Sequence, residues 1–319
     1  MTTTPVRLSL IIPTRNRARR LDQLLDGLTA LTPLPEGPWE IVVVDNGSTD
    51  DTAAVVARPR PGLPAPIRRV PEPRAGRSFA LNAGVTATAG DLLVFVDDDV
   101  TLEPRWLSEL ARAATREGYA AAAGRILPDF EGGAPAWLPP DLPFPYRFDL
   151  GDAPGDSHTV FGANMAFQRR VFARYGLFRT DLGIQPGDPL VGEESELCDR
   201  LAAAGERIAY VPTATVRHPV TREQATPAFL DRWSYHYGRS LARREPLPAD
   251  AALWWGAPRY LWREAAAVWI RRWLAPTPTR RLRERLRLSR LAGEIAERRA
   301  MARGRRIFPG YSTPRGETG

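Results

Sequence analysis

Three consecutive aspartates, Asp97, Asp98 and Asp99, follow the apolar run Leu92-Leu93-Val94-Phe95-Val96. The run reads as a buried strand of a parallel sheet. Its carboxylates then stand just past the strand's carboxyl end, where open α/β sheets bind ligands. Like charges crowded at one point repel unless something cationic sits among them. A hard divalent cation, Mn2+ or Mg2+, shared between carboxylate oxygens and a phosphate-bearing ligand, is the chemistry this cluster suits. Asp45 closes the run Ile41-Val42-Val43-Val44 in the same way. At that place a carboxylate suits a hydrogen bond to a ribose hydroxyl or a base N–H, although a lone Asp after a strand is more often a turn residue.

Other chemistries find little support. After the first strand the chain reads Pro13-Thr14-Arg15-Asn16-Arg17, not a glycine-rich dinucleotide fingerprint, and no phosphate loop ending in Lys-Ser or Lys-Thr is present. Three His and one Cys offer neither a nucleophile motif nor a zinc ligand set. Cys198 has no partner for an internal disulfide, which suits a reducing compartment and a buried apolar thiol.

The elements that position the acids follow from hydropathy patterning. Apolar runs at Arg7–Pro13, Glu40–Asp45, Ile67–Val70 and Leu92–Val96 read as strands. Helices are expected from Arg20 onward with Leu21, Leu24, Leu25 and Leu28 at helical spacing, after the turn Asn46-Gly47-Ser48, over Ala75–Ala87 and over Trp106–Arg116. Alternating strands and helices predict an α/β fold with a doubly wound, mostly parallel sheet. Residues 128–158 break the pattern. Seven prolines interleave there with Trp137, Phe144, Tyr146 and Phe148, which predicts a long ordered loop, either an acceptor lid or a surface excursion packed by its own aromatics. A strand over Val160–Phe167, a helix over Glu194–Ala204 and a strand over Arg207–Val211 follow.

Four blocks of this sequence resemble the inverting glycosyltransferases of family 2, which have the GT-A fold. They are Ser9-Leu10-Ile11-Ile12-Pro13-Thr14-Arg15-Asn16, Val42 to Asp50, Phe95 to Asp99, and Gly192-Glu193-Glu194-Ser195-Glu196-Leu197. The resemblance covers about residues 6–220. It implies transfer of a sugar from a nucleoside-diphosphate donor to a hydroxyl acceptor in cell-envelope glycan, polysaccharide or glycolipid synthesis. By resemblance, Pro13, Thr14 and Arg15 line the nucleotide pocket, Asp45 contacts base or ribose, and Arg77 and Asn82 belong to the donor-binding helix region. Asp97 and Asp99 form the D-x-D metal motif, Asp98 lies near ribose or sugar, and His218 lies near the diphosphate or metal. Glu194 stands where the family most often has the Asp of a Glu-Asp pair, its general base; Glu193 and Glu196 are alternates. The extra methylene also leaves a catalytically impaired sugar-nucleotide-binding module as an alternative. A sugar nucleotidyltransferase is a further one, although its glycine-rich signature is missing.

Composition divides the chain. All 44 basic residues are Arg, and the net charge is +7. Residues 254–319 carry 16 Arg and 5 Glu, a balance of +11, whereas residues 1–253 balance at −4. We therefore expect a catalytic domain over 1–225 and a helical, basic, aromatic-rich C-terminal region over 226–319. Trp254, Trp255, Trp262, Trp269 and Trp273 stand among Arg259, Arg263, Arg271 and Arg272, a mixture that suits lipid headgroups. A helical subdomain or dimer interface is the plainer alternative. No nucleic-acid reading motif accompanies the Arg, so a nucleic-acid partner is not expected. Neither a signal peptide nor an 18-residue apolar span is expected, which suggests a cytoplasmic protein, peripheral on the inner membrane face.

Overall fold

The structure, a computed structural model, describes residues 7–32, 38–116, 118–248 and 250–304. Between Thr226 and Pro227 the chain divides into two compact units. The first unit holds strands β1 (Leu8–Thr14), β2 (Trp39–Asp45), β3 (Ile67–Pro71), β4 (Leu92–Val96), β5 (Thr101–Leu102), β6 (Tyr119–Phe130), β7 (Gly155–Ser157), β8 (Asn164–Gln168), β9 (Ile184–Gln185), β10 (Asp188–Pro189) and β11 (Arg207–Val220). Its helices are α1 (Ala18–Gly27), α2 (Thr52–Ala57), α3 (Arg77–Ala87), α4 (Trp106–Ala114), α5 (Arg169–Tyr175) and α6 (Glu193–Ala203).

One mixed sheet runs β3-β2-β1-β4-β8-β6-β11-β5, with β7 also on β11. The β3-β2-β1-β4 half is parallel, and its central strands β1 and β4 are buried along their whole length. That explains their continuous apolar runs. β8 then enters antiparallel to both β4 and β6, so the parallel pattern predicted from sequence is interrupted at mid-sheet. Parallel pairing resumes between β6 and β11.

Asn164, at the start of β8, secures this inserted strand. Its amide donates to the carbonyls of Arg125 (2.9 Å) and Ala214 (2.8 Å), and its Oδ1 accepts the Trp106 indole N–H (2.7 Å). The Ala214 carbonyl is available because the β6–β11 register slips between Val211 and Thr215. A Cβ on Gly124 would stand 2.1 Å from the Asn164 amide nitrogen, so a bare backbone is required there. Phe95, Phe167, Phe172 and Phe178 pack edge-on or tilted beside this point, with centroids 5.3–6.3 Å apart.

The proline-rich segment is more regular at its ends than its composition suggests, because β6 continues to Phe130 and β7 forms at Gly155–Ser157. Between them the loop packs on its own aromatics. Phe130 meets Phe144 (5.4 Å), and Phe144 meets Tyr146 (5.7 Å).

The second unit contains α7 (Pro227–Arg244), the short strands β12 (Leu253–Trp254) and β13 (Ala257–Pro258), α8 (Arg259–Leu274) and α9 (Pro278–Ala302). Helices α7 and α9 touch backbone to backbone. A Cβ on Gly238 would lie 1.8 Å from the Arg290 carbonyl, and one on Gly293 would lie 1.9 Å from the Tyr235 carbonyl. Glu297 of α9 accepts from Arg239 (2.9 Å) and Arg243 (2.7 Å) of α7, all three buried. Among the described residues, no helix is long and apolar enough to cross a membrane.

Candidate active site

Strand register assembles the acidic centre. β1 pairs with β4 at a constant offset, Leu8 with Leu92 and Ile11 with Phe95. Extending that offset sets Thr14 opposite Asp98, and the Thr14 hydroxyl donates to Asp98 Oδ2 at 2.6 Å. On the other flank of β1, Thr14 registers with Asp45. β11 pairs antiparallel with β5, Val216 with Leu102 and Arg217 with Thr101, which carries His218 toward the triplet. Its Nε2 lies 3.6 Å from Asp99 Oδ1. Asp97, Asp99 and His218 each offer one ligand atom, and these atoms lie within 4.8 Å of one another.

Two arginines gather around the acids. Arg17, in the loop after β1, reaches Asp98 (3.1 Å) and Asp99 (2.8 Å). Arg77 opens α3 and bridges Asp97 (2.6 Å) and Glu193 (3.0 Å). Gly162 makes room for it, because a Cβ there would stand 2.4 Å from the Arg77 guanidinium. Burial pushes Asp97 up, but Arg77 and His218 outweigh it and hold the carboxyl below the usual range. Asp98 goes the other way. Burial outweighs Arg17 and Thr14 and raises it to about 6, with Asp99 and Asp97 adding repulsion.

Oδ1 of Asp97 is buried and ion-paired with Arg77 at 2.6 Å, whereas Oδ1 of Asp99 is buried without a hydrogen-bond partner, 3.6 Å from His218 Nε2. A buried carboxylate oxygen left as that of Asp99 is costly. One carboxylate oxygen from each of Asp97 and Asp99 and a ring nitrogen of His218 converge into a donor set that fits a divalent cation, and the two carboxylates suit Mn2+ or Mg2+.

The acids of α6 take three different situations. Gly192 precedes the helix at φ +97°, a left-handed conformation suited to glycine, and turns the chain so that Glu193 and Glu194 start the first turn. Glu193 is buried and tied to Arg77. Glu196 is buried and tied to Arg200 at 2.9 Å. Glu194 is half-buried, and its Oε2 is buried without a hydrogen-bond partner. Burial, reinforced by the Glu193 carboxylate, lifts Glu194 well above the ordinary range.

The remaining residues singled out in the sequence fall as follows. Pro13 is buried at the end of β1 beside Val44. Arg15 is exposed and donates to the Asn46 carbonyl (3.1 Å). Asp45 accepts from the Ser48 N–H (2.8 Å) and from Arg69 (2.7 Å). Asn82 lies on α3 with Arg77, and its amide binds the Phe178 backbone at both ends, at 2.8 and 3.0 Å. Cys198 is buried, and burial pushes its thiol up to about 12, so it is a packing residue.

Two neighbours of the acidic centre were missed from sequence. Arg17 looked like an ordinary loop cation. Tyr146 belongs to the proline-rich loop, and its ring lies 4.5 Å from that of His218. Burial and Asp99 raise the Tyr146 phenol to about 12, so it remains protonated.

The mixed sheet, with acids at the ends of β2 and β4, defines the GT-A class of nucleotide-sugar transferases. The profile of Glycosyl transferase family 2 matches residues 9–176, and the chain belongs to that family. It is 28% identical over 236 residues to the succinoglycan biosynthesis protein ExoM of Rhizobium meliloti, covering 71% of this chain and 72% of that protein. Among solved structures, it resembles the mannosyltransferase PcManGT from Pyrobaculum calidifontis in complex with GDP-Man and Mn2+. That likeness has a TM-score of 0.56 at 20% identity, over 96% of this chain and 78% of the other. It also resembles S. aureus TarS 1-349 in complex with UDP-GlcNAc, at a TM-score of 0.52 and 15% identity, covering 93% of this chain and 92% of the other. These two likenesses concern the fold.

Proposed function

We propose that this glycosyltransferase moves a sugar from a nucleoside-diphosphate donor to a hydroxyl acceptor in envelope glycan or polysaccharide synthesis, by a single displacement that inverts the anomeric centre. The observation that carries the reading is the convergence of Asp97, Asp99 and His218, linked through Arg77 to the turn that bears Glu194. Asp97, Asp99 and His218 would hold a divalent cation, which would neutralise charge on the diphosphate. Arg17 and Arg77 stand beside these carboxylates as fixed cations for the charge that develops on the leaving group. Asp45, Pro13, Thr14 and Arg15 form the nucleotide side of the cleft. Asp98, held by Thr14, faces the ribose or sugar. Asn82, on the same helix as Arg77, holds the Phe178 segment beside the donor-binding helix region.

Glu194 is the general base. Its raised proton affinity brings it closer to neutrality, where proton transfer from an acceptor hydroxyl is best matched. As the acceptor oxygen bonds to the anomeric carbon, the carbon–oxygen bond to the diphosphate breaks, and the hydroxyl proton passes to Glu194. Glu193 and Glu196 are less suited, because each is held by an arginine.

A thermal-shift screen of uridine, guanosine and thymidine diphosphate sugars with Mn2+ or Mg2+ tests the donor class. A ligand at a hundred times its dissociation constant stabilises the fold by ~2.7 kcal/mol. One nucleotide should stand out, and only with the cation present. Uniform absence of stabilisation would count against the reading.

A further inference from the structure

Helix α8 buries Leu261 and Val268 and leaves its opposite face uncovered. Trp269, Ile270, Trp273 and Leu274 are all exposed, the last two at 70% and 75%. At 100° per residue these four lie within one arc of the helix. Soluble surfaces rarely gather large apolar groups in this way without a partner. The face continues into a cleft of ≈ 520 Å³ lined by Arg272, Trp273, Pro278, Arg281, Leu282 and Arg285. Three guanidiniums thus meet apolar side chains in one cavity. Arg281 is preset there by donating Nε to the Ala275 carbonyl (3.0 Å). Asp231 pairs with Arg285 at 3.0 Å, and the cleft keeps an excess of positive charge.

We propose that the exposed face of α8 and the adjoining arginine cleft form a membrane-docking surface, in which a phospholipid phosphate enters the cleft while Trp269, Trp273 and Leu274 lie among the headgroups and upper acyl chains. Charge complementarity argues for this occupant. A second copy of the chain would bring the same arginines face to face, whereas an anionic bilayer supplies both the phosphates and the apolar layer. Indole rings favour that boundary, since their bodies are apolar and their N–H groups polar. The inference stands on residues 261–285 and is independent of the catalytic reading.

The test is cosedimentation of the full chain with phosphatidylglycerol-containing vesicles and with pure phosphatidylcholine vesicles. Binding is expected to the anionic vesicles, with loss of roughly tenfold or more in affinity for Trp273→Ala with Leu274→Ala, and for Arg272→Glu. Donor turnover by the soluble variants should match the parent, which separates this inference from any failure of the catalytic one. Absence of parent binding, or equal binding by parent and variants, would overturn it. So would displacement by millimolar inorganic phosphate alone, which would assign the cleft to free phosphate. A parent dimer in sedimentation that Trp273→Ala with Leu274→Ala dissolves would assign the face to a second copy.

Discussion

Glu194 carries the most specific chemical claim. Glu194→Gln keeps the shape and removes the proton acceptor, so kcat should fall by roughly 10²–10⁴ with little change in donor KM. The pH profile follows from the direction of its shift. A base must be ionised to act, and burial with Glu193 raises its affinity for protons. Activity is therefore full at higher pH and is lost as pH falls through an apparent pKa above the ordinary Glu value of about 4.3. In Glu193→Gln the repulsion is gone and Arg77 is released toward Glu194, so the acid limb of kcat/KM should move to lower pH. An unmoved limb would mean that another group is titrating. Asp45 and the Asp97–Asp99 triplet were legible in the sequence because each follows an uninterrupted apolar strand, whereas Glu194 at the start of α6 was legible only through the family resemblance. Arg17 was not, since nothing in the spacing of an exposed loop shows that its side chain folds back over Asp98 and Asp99.

Elements decide whether those residues meet. The parallel half of the sheet was readable, because strands buried on both faces leave continuous apolar runs. The reversed direction of β8 was not, since an apolar run gives no direction. β11 was read as ending at Val211. The structure carries it to Val220 through the register slip before Thr215, and this extension is what delivers His218. Asn164 looks like any polar residue in sequence, yet it satisfies three buried groups at the slip. Asn164→Leu should destabilise the protein by about 2–5 kcal/mol, because each unpaired buried group costs ~1–3 kcal/mol. Urea denaturation measures this, and a loss under about 1 kcal/mol would show that the knot is dispensable. In the second unit, Gly293→Ala forces a methyl into the Tyr235 carbonyl. A loss of about 1–3 kcal/mol or more is expected by the same measurement.

At the scale of the whole molecule, charge and chemistry are separated along the chain. Every residue assigned to the reaction lies between positions 13 and 218, whereas the +11 balance belongs to residues 254–319. Salt should distinguish the two roles: raising ionic strength weakens vesicle binding, which rests on exposed Arg, more than it weakens donor turnover in the partly buried cleft. Parallel salt sensitivity of both would argue against the separation. The central claim is that Asp97, Asp99, His218 and Glu194 form one glycosyl-transfer site. The most direct measurement is cation-dependent release of nucleoside diphosphate from the donor found in the screen, compared among the parent, Asp99→Asn and Glu194→Gln. The account predicts release by the parent with Mn2+ or Mg2+, its loss on chelation, and loss of at least about a hundredfold in either variant. Release at the parent's rate by both variants would contradict it.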